Sequence, residues 1–305
     1  MTPFPTVVDS SLLSAWRDCP RKAQLSYFDH WKPGTESVHL VAGKAFASGL
    51  EAARRAFYVE GQDADAAIAQ GLGTLLAEYG DYQPPTEDDP KGPIRMAGAL
   101  EFYFSRYPLG SDGTVPHLFA GTRPGIEFSF VEPLPRVRHP ETGDPLLYSG
   151  RCDMASNAYG GLFLVDEKTT SRLGPTWAKQ WDLRSQFTSY CWGYRAHGFR
   201  PSGVIVRGVA IYKAGYDTQQ AITYRSDWEI DRWLTQTERD IERMIEAWYT
   251  DYWDYNLDHS CASFGGCTFL PVCKSPEPER WLEIRFHRRR WDPVTRTETP
   301  LEPAI

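Results

Sequence analysis

Apolar positions in the first third of the chain recur at helical spacing. With Asp9 or Ser10 as a candidate N-cap, the stretch LLSAWRDCPRKAQLSYF places Leu12, Leu13, Trp16 and Ala23 on one face. The same pattern predicts a helix over 44–59 and two more over 64–79 and 94–107, the last two separated by the proline- and acid-rich loop YQPPTEDDPKGP. Residues 1–115 therefore read as a helical layer.

From Gly125 the period shortens to two. GIEFSFVE, LLYSGRCDMAS and GLFLVDEKTT read as strands bounded by turn residues, and a turn over Asn157–Gly161 makes the last two a hairpin. A helix over 177–197 and the strands GVIVRGVAIYK and QQAITYR follow, so residues 116–225 predict an α/β fold with a mixed sheet flanked by helices. Ser226 and Glu229 have the spacing of a capping box, ahead of Ile230, Trp233, Ile241, Met244, Ile245 and Trp248 on a long helix. The rest of 226–305 is aromatic, proline-rich and cysteine-bearing, and the three stretches read as one integrated domain.

Composition narrows the function classes. A 305-residue chain that is 41% hydrophobic and 14% aromatic can fill a core and is not a disordered protein. It has no apolar run of the roughly eighteen residues a membrane span needs, and MTPFPTVVDSS lacks the basic-then-apolar pattern of an export signal, so no membrane partner and a cytoplasmic setting are expected. A net charge of -7 argues against a protein that coats nucleic acid through its overall field. A local basic strip remains in RFHRRRW, where Arg285, Arg288, Arg289 and Arg290 interleave with Phe286 and Trp291; a phosphate-contacting strip and a solvated surface strand are both compatible with it.

The candidate chemistry lies on the hairpin. Asp153 stands on its first strand and Asp166, Glu167 and Lys168 end the second, so pairing brings Asp153 beside Asp166. Alternation points Asp166 and Lys168 to one side and Glu167 to the other, where Glu167 offers mainly its backbone carbonyl. Two convergent carboxylates without a cation repel each other, whereas Mg2+ accepts such oxygens and retains waters. A D-x-K triplet alone is weak evidence, because such triplets are common at exposed strand ends.

The combination GRCDMA, LFLVDEKTT and QFTSY resembles the RecB-like branch of the PD-(D/E)XK nucleases, which carries a G-x-x-D strand, a D/E-x-K strand and a helix with Q-x-x-x-Y; here these are Gly150 with Asp153, Asp166 with Lys168, and Gln186 with Tyr190. The resemblance implies a restriction-endonuclease-like fold, Mg2+ or Mn2+ bound by Asp153 and Asp166, a catalytic Lys168, and Gln186 and Tyr190 positioning the DNA backbone or the site. The plain alternative for the last two is a capped, half-buried helix face. Glu127 in GIEF matches an acidic residue on the strand before the motif, a further metal candidate. In the early G-x-x-x-H-x-x-L-E helix of this branch, GKAFASGLE keeps Gly43, Leu50 and Glu51 but has Ala47 at the histidine that ligates metal. Either Glu51 or water fills the gap, or activity is weakened; His39, in a loop, is a poor substitute.

Four cysteines complete the resemblance. Cys19-Pro20 ends a helix similar to the S-x-L-x-x-(F/W)-x-x-C-P entry of iron-sulfur exonucleases, and Cys261, Cys267 and Cys273 stand near the far end. Four thiolates can hold a 4Fe-4S cluster; zinc, which usually takes closer C-x(2-4)-C pairs, and unligated thiols are the alternatives. Cys152 and Cys191 read as buried thiols. The arrangement is similar to AddB-type helicase-nucleases, CRISPR-associated exonucleases and related phage proteins, and the long cysteine gaps favour the phage type. It implies a DNA exonuclease acting on single strands or ends, in a bacterial or phage-infected cell, with a helicase or recombination protein as a candidate partner. A nucleic-acid-binding subunit with weakened catalysis is the main rival reading, and a redox or zinc-scaffold protein a third.

Overall fold

The first helix begins where a side chain replaces a missing backbone partner. Asp9 Oδ1 accepts the N–H groups of Ser11 and Leu12 at 3.0 and 2.8 Å, which caps helix Ser10–Asp18. The apolar pattern runs on to Phe28, but the helix stops at Cys19. Proline disfavours helical backbone in the residue before it, and Cys19 is extended at φ -164° and ψ 121°. A short helix Pro20–Ala23 and a π-helical turn Gln24–Phe28 finish the segment.

The computed structural model describes residues 2–35, 37–82, 84, 86, 89–262 and 266–301. Parts of the predicted loop after Tyr79 and of the CASFGGC segment lie outside them. The chain forms two compact units: a terminal unit of Met1–Thr35, Phe130–Gly150 and Asp231–Ile305, and a central unit of Glu36–Ser129 and Arg151–Ile230.

Strands Pro145–Ala158, Gly161–Thr170, Gly203–Tyr212 and Gly215–Tyr224 pair in that order, the first of them entering the central unit at Arg151. The first and last pairs are antiparallel and the middle pair is parallel, from Phe163 opposite Gly203 to Thr170 opposite Ala210. This is the mixed α/β sheet that the alternating pattern predicts. The hairpin turns on Tyr159 and Gly160, with φ of 51° and 76°, the left-handed conformation that suits the twist of a two-residue connection. Helices Val38–Tyr58, Ala64–Tyr79 and Pro93–Arg106 share a core with Val209 and Ile211 of the sheet. The first of these starts at the Ser37 cap, earlier than its apolar spacing indicates. The helix predicted over 177–197 is two: Pro175–Lys179 and Ser185–Ala196. Gly208 is required here, since a Cβ on it would stand 2.3 Å from the Trp177 ring.

In the terminal unit, Val7–Asp9 pairs in parallel with residues 147–149. A Cβ at the motif glycine Gly150 would lie 2.3 Å from the Phe130 ring. Phe28 packs between Phe4 and Trp253, with ring centroids 5.5 and 4.7 Å away. At the end of the central unit the capping box is formed: Ser226 N–H donates to Glu229 Oε2 at 2.7 Å and Glu229 N–H to Ser226 Oγ at 3.3 Å, opening helix Asp227–Thr250. Strands Trp31–Pro33, Phe286–Asp292 and Thr297–Pro300 make a small antiparallel sheet. Among the described residues no helix is long and apolar enough to cross a membrane.

Candidate active site

The hairpin ladder ends where Met154 faces Val165, and Asp153 and Asp166 are the next pair in register. At that point the strands fork. Asp153 Oδ2 accepts the Glu167 N–H at 3.0 Å, doing what a ladder carbonyl would otherwise do. Asp166 is 1% exposed and forms an ion pair with Lys168, which stays 30% exposed, so the lysine covers the carboxylate while reaching solvent. Lys168 Nζ also lies 5.9 Å from the Phe187 ring centroid on helix Ser185–Ala196.

Charge and burial act together on these groups. Burial, then the Asp166, Glu127 and Glu167 carboxylates, push Asp153 well above the usual carboxylate range. Burial also raises Asp166, against the opposing pull of Lys168. For Lys168 burial works against the charge, but Asp166 and Asp153 override it and the ammonium is held more firmly protonated than usual. Arg184, the residue before helix Ser185–Ala196, acts on both Asp166 and Lys168. Within the helix's first turn, Gln186 Nε2 donates to Tyr190 Oη at 2.9 Å, and Tyr190 is buried.

Glu167 points the other way. Arg54 clasps its two oxygens, with Nη1 to Oε2 at 3.1 Å, and Tyr103 Oη donates to Oε1 at 2.8 Å. Burial alone would raise this carboxyl, yet Arg54 holds it below its ordinary value. Its side chain is thereby committed, leaving the main-chain carbonyl as the oxygen it can offer a cation. Arg207 extends the network, donating to Tyr103 Oη at 3.2 Å, Asp112 Oδ2 at 2.5 Å and Gln220 Oε1 at 3.0 Å. Sequence reasoning missed Arg54, Tyr103 and Arg207. A signal for Arg54 existed, since it follows Phe46 and Leu50 at four-residue steps on the apolar face of its helix.

Glu127 has a left-handed backbone at φ 51° inside its strand and pairs with Arg151 at 2.8 Å. Burial, only partly offset by Arg151, and the nearby Glu51 push its carboxyl up to about 7. Glu51 itself accepts from Arg55 Nε at 2.7 Å. Ala47 is exposed one turn earlier, and His39 is exposed in the first turn of the same helix. Among the described residues no three His, Cys, Asp or Glu side chains are grouped closely enough to enclose a metal by themselves. Mg2+ does not require that, because it binds through one or two carboxylates and completes its octahedron with water and phosphate. Two buried, mutually repelling carboxylates fit such an ion.

The four separated cysteines all lie in the terminal unit and are half-buried. Asn256 N–H points at Cys19 Sγ at 3.5 Å, while Asn256 Nδ2 and Ser260 Oγ both donate to Asp18 O, at 2.7 and 2.8 Å. These bonds tie Cys19 to the segment that leads into Cys261. Cys267 N–H donates to Cys261 O at 2.9 Å, and Cys267 and Cys273 pack on the stacked Phe269 and Phe286 rings. Burial, with the Cys267, Cys19 and Cys261 thiols, raises the Cys273 thiol against the pull of Arg21. As for the carboxylates, no three of these sulfurs are grouped closely enough among the described residues to enclose a metal by themselves. Cys152 and Cys191 are fully buried.

A family model described as the PD-(D/E)XK nuclease superfamily matches residues 10–274. No curated protein matches the chain. Among solved structures, a candidate exonuclease from Eubacterium rectale is similar at 12% identity and a TM-score of 0.48, over 82% of this chain and 85% of that one. The protein SSO0001 is similar at 12% identity and a TM-score of 0.28, over 68% of this chain and 84% of its own.

Proposed function

The chain belongs to the PD-(D/E)XK nuclease superfamily, and from that premise we propose that it is a Mg2+- or Mn2+-dependent deoxyribonuclease acting on single strands or DNA ends, with a structural 4Fe-4S cluster. The observation that carries the reading is the fork at which Asp153 meets Asp166, with Lys168 paired on the same face. Asp153, Asp166 and the Glu167 carbonyl would hold the ion, with Glu127, and Glu51 beside it, as outer oxygen donors. A divalent ion bound there lowers the pKa of coordinated water and neutralises charge on the scissile phosphate.

The side chains supply the rest. Lys168, kept charged by two carboxylates, orients the attacking water and stabilises negative charge building on phosphate oxygens. Gln186 and Tyr190, bonded to each other on one helix face, position the DNA backbone or the site. Cys19, Cys261, Cys267 and Cys273 would ligate the cluster and so close a loop from residue 19 to residue 273. A cytoplasmic setting and a helicase or recombination partner accord with the RecB-like and phage-type motifs.

Ala47 favours a second reading, a nucleic-acid-binding subunit with weakened catalysis, because no side-chain ligand stands at that helix position. Cleavage of end-labelled single-stranded DNA by cluster-loaded protein separates the two. The nuclease reading expects Mg2+- or Mn2+-dependent cleavage that falls at least about 100-fold in Asp166→Ala and Lys168→Ala. No cleavage by the parent protein, or cleavage undiminished by either substitution, would reject it.

A further inference from the structure

The arginine strip RFHRRRW is not used by the chemistry above, and the terminal unit builds it into a surface of its own. Strand alternation places Arg288 and Arg290 on one face of Phe286–Asp292 and His287, Arg289 and Trp291 on the other. The second face is charge-paired, since Glu298 meets Lys32 at 3.1 Å and Arg289 at 3.8 Å. The first is not. Among the described residues neither Arg288 nor Arg290 forms an ion pair; Arg288 Nε donates to a main-chain oxygen, Asp29 O, at 3.2 Å. Asp292, on that same face, spends its Oδ1 on the N–H groups of Val294 and Thr295 at 2.8 and 3.3 Å.

An aromatic ring accompanies Arg288, and another lies against the neighbouring Arg285. Trp31 lies opposite Arg288 in the sheet, 5.8 Å from guanidinium carbon to ring centroid. Helix Pro278–Arg285 ends at the same sheet edge, where Gly34 N–H donates to Arg285 O at 2.9 Å, and Arg285 sits 5.2 Å from the centroid of the exposed Trp281. Beside them His30 has a left-handed backbone at φ 63°, and its Nδ1 is buried with no hydrogen-bond partner among the described residues. Burial, with Arg290, Arg288 and Lys32 around it, pushes this imidazole down to about 4. From Arg280 to Asp292 the chain has five arginines against two acids, in a protein whose net charge is -7. A cationic strip maintained against that overall balance calls for an anion, and the exposed Trp281 offers a face on which an unpaired base can stack.

We propose that Arg288 and Arg290, with Trp31 beside Arg288, bind the phosphodiester backbone of single-stranded nucleic acid. The choice of nucleic acid as the anion rests on the nuclease reading. Neither arginine is one of the carboxylate-fork residues or the cysteines, so their loss weakens binding without removing a catalytic group.

Fluorescence anisotropy of a labelled oligodeoxynucleotide with full-length, cluster-loaded protein tests it, in the absence of divalent ion and over a salt series. Arg288→Ala and Arg290→Ala should each weaken binding roughly 3- to 10-fold, and the slope of log affinity against log salt should fall by about 0.7 for each phosphate that the protein no longer neutralises. Arg290→Lys should keep that slope, because a phosphate reads the charge. Arg290 is exposed, so its variants remain informative even where Arg288→Ala loosens the sheet. Unchanged affinity and slope in the alanine variants would overturn the site. So would an equal loss in the charge-matched control Lys213→Ala, equally tight binding of a duplex, or inorganic phosphate binding as tightly as the oligonucleotide. Binding through these arginines without any Mg2+-dependent cleavage would remove the catalytic reading and leave the site standing; cleavage with binding indifferent to them would do the reverse.

Discussion

Arg54 and Glu167 show what a single pair does to the motif strand. Side chains at 166, 167 and 168 alternate, so fixing Glu167 on one face fixes where Asp166 and Lys168 point on the other. The pair is almost fully buried, at 4% and 1% side-chain exposure. A buried ion pair adds little net stability, but removing one partner strands an uncompensated charge. Arg54→Met or Glu167→Met alone should therefore cost about 3–5 kcal/mol in urea unfolding, while the double Met variant recovers most of that loss. Additive losses in the double variant would show that the two residues act separately. The approach of Asp153 to Asp166, with Lys168 on the same face, was legible in the sequence because register and alternation are local rules. The Arg54 clasp was not, because it joins positions 113 residues apart and depends on packing.

At the scale of elements, periodicity located the helices and strands and mislocated some of their ends. The helix over 64–79 and the capping box at Ser226 match their sequence signals, since cap and apolar face agree there. Two long apolar stretches are broken instead. Pro20 ends the first at Cys19, and residues 180–184 separate Pro175–Lys179 from Ser185–Ala196. Both breaks redirect candidate site residues: the first turns Cys19 out of the helix toward Asn256, and the second sets Arg184 ahead of the helix that carries Gln186 and Tyr190. The fork at Asp153 could be placed from hairpin register, but its carboxylate taking the Glu167 N–H is a detail of how two strands part, which no residue pattern specifies.

At the scale of the whole molecule, both units are built from separated stretches, the terminal one from three, so neighbours in sequence do not predict membership of a unit. The mixed α/β architecture was legible from element order, whereas this interleaving arises from long-range packing. The terminal unit brings Cys19 to the segment before Cys261, and cluster assembly there should yield about four iron atoms per chain with broad absorbance near roughly 400 nm, both lost in Cys273→Ser. Stoichiometric zinc with no visible absorbance would instead make the site a zinc scaffold. The carboxylate fork is tested most directly by calorimetric titration of Mn2+ into cluster-loaded protein. Saturable binding of Mn2+ that disappears in Asp153→Ala and in Asp166→Ala, with folding intact, is the predicted result; no binding in the parent protein, or binding that survives both substitutions, would contradict it.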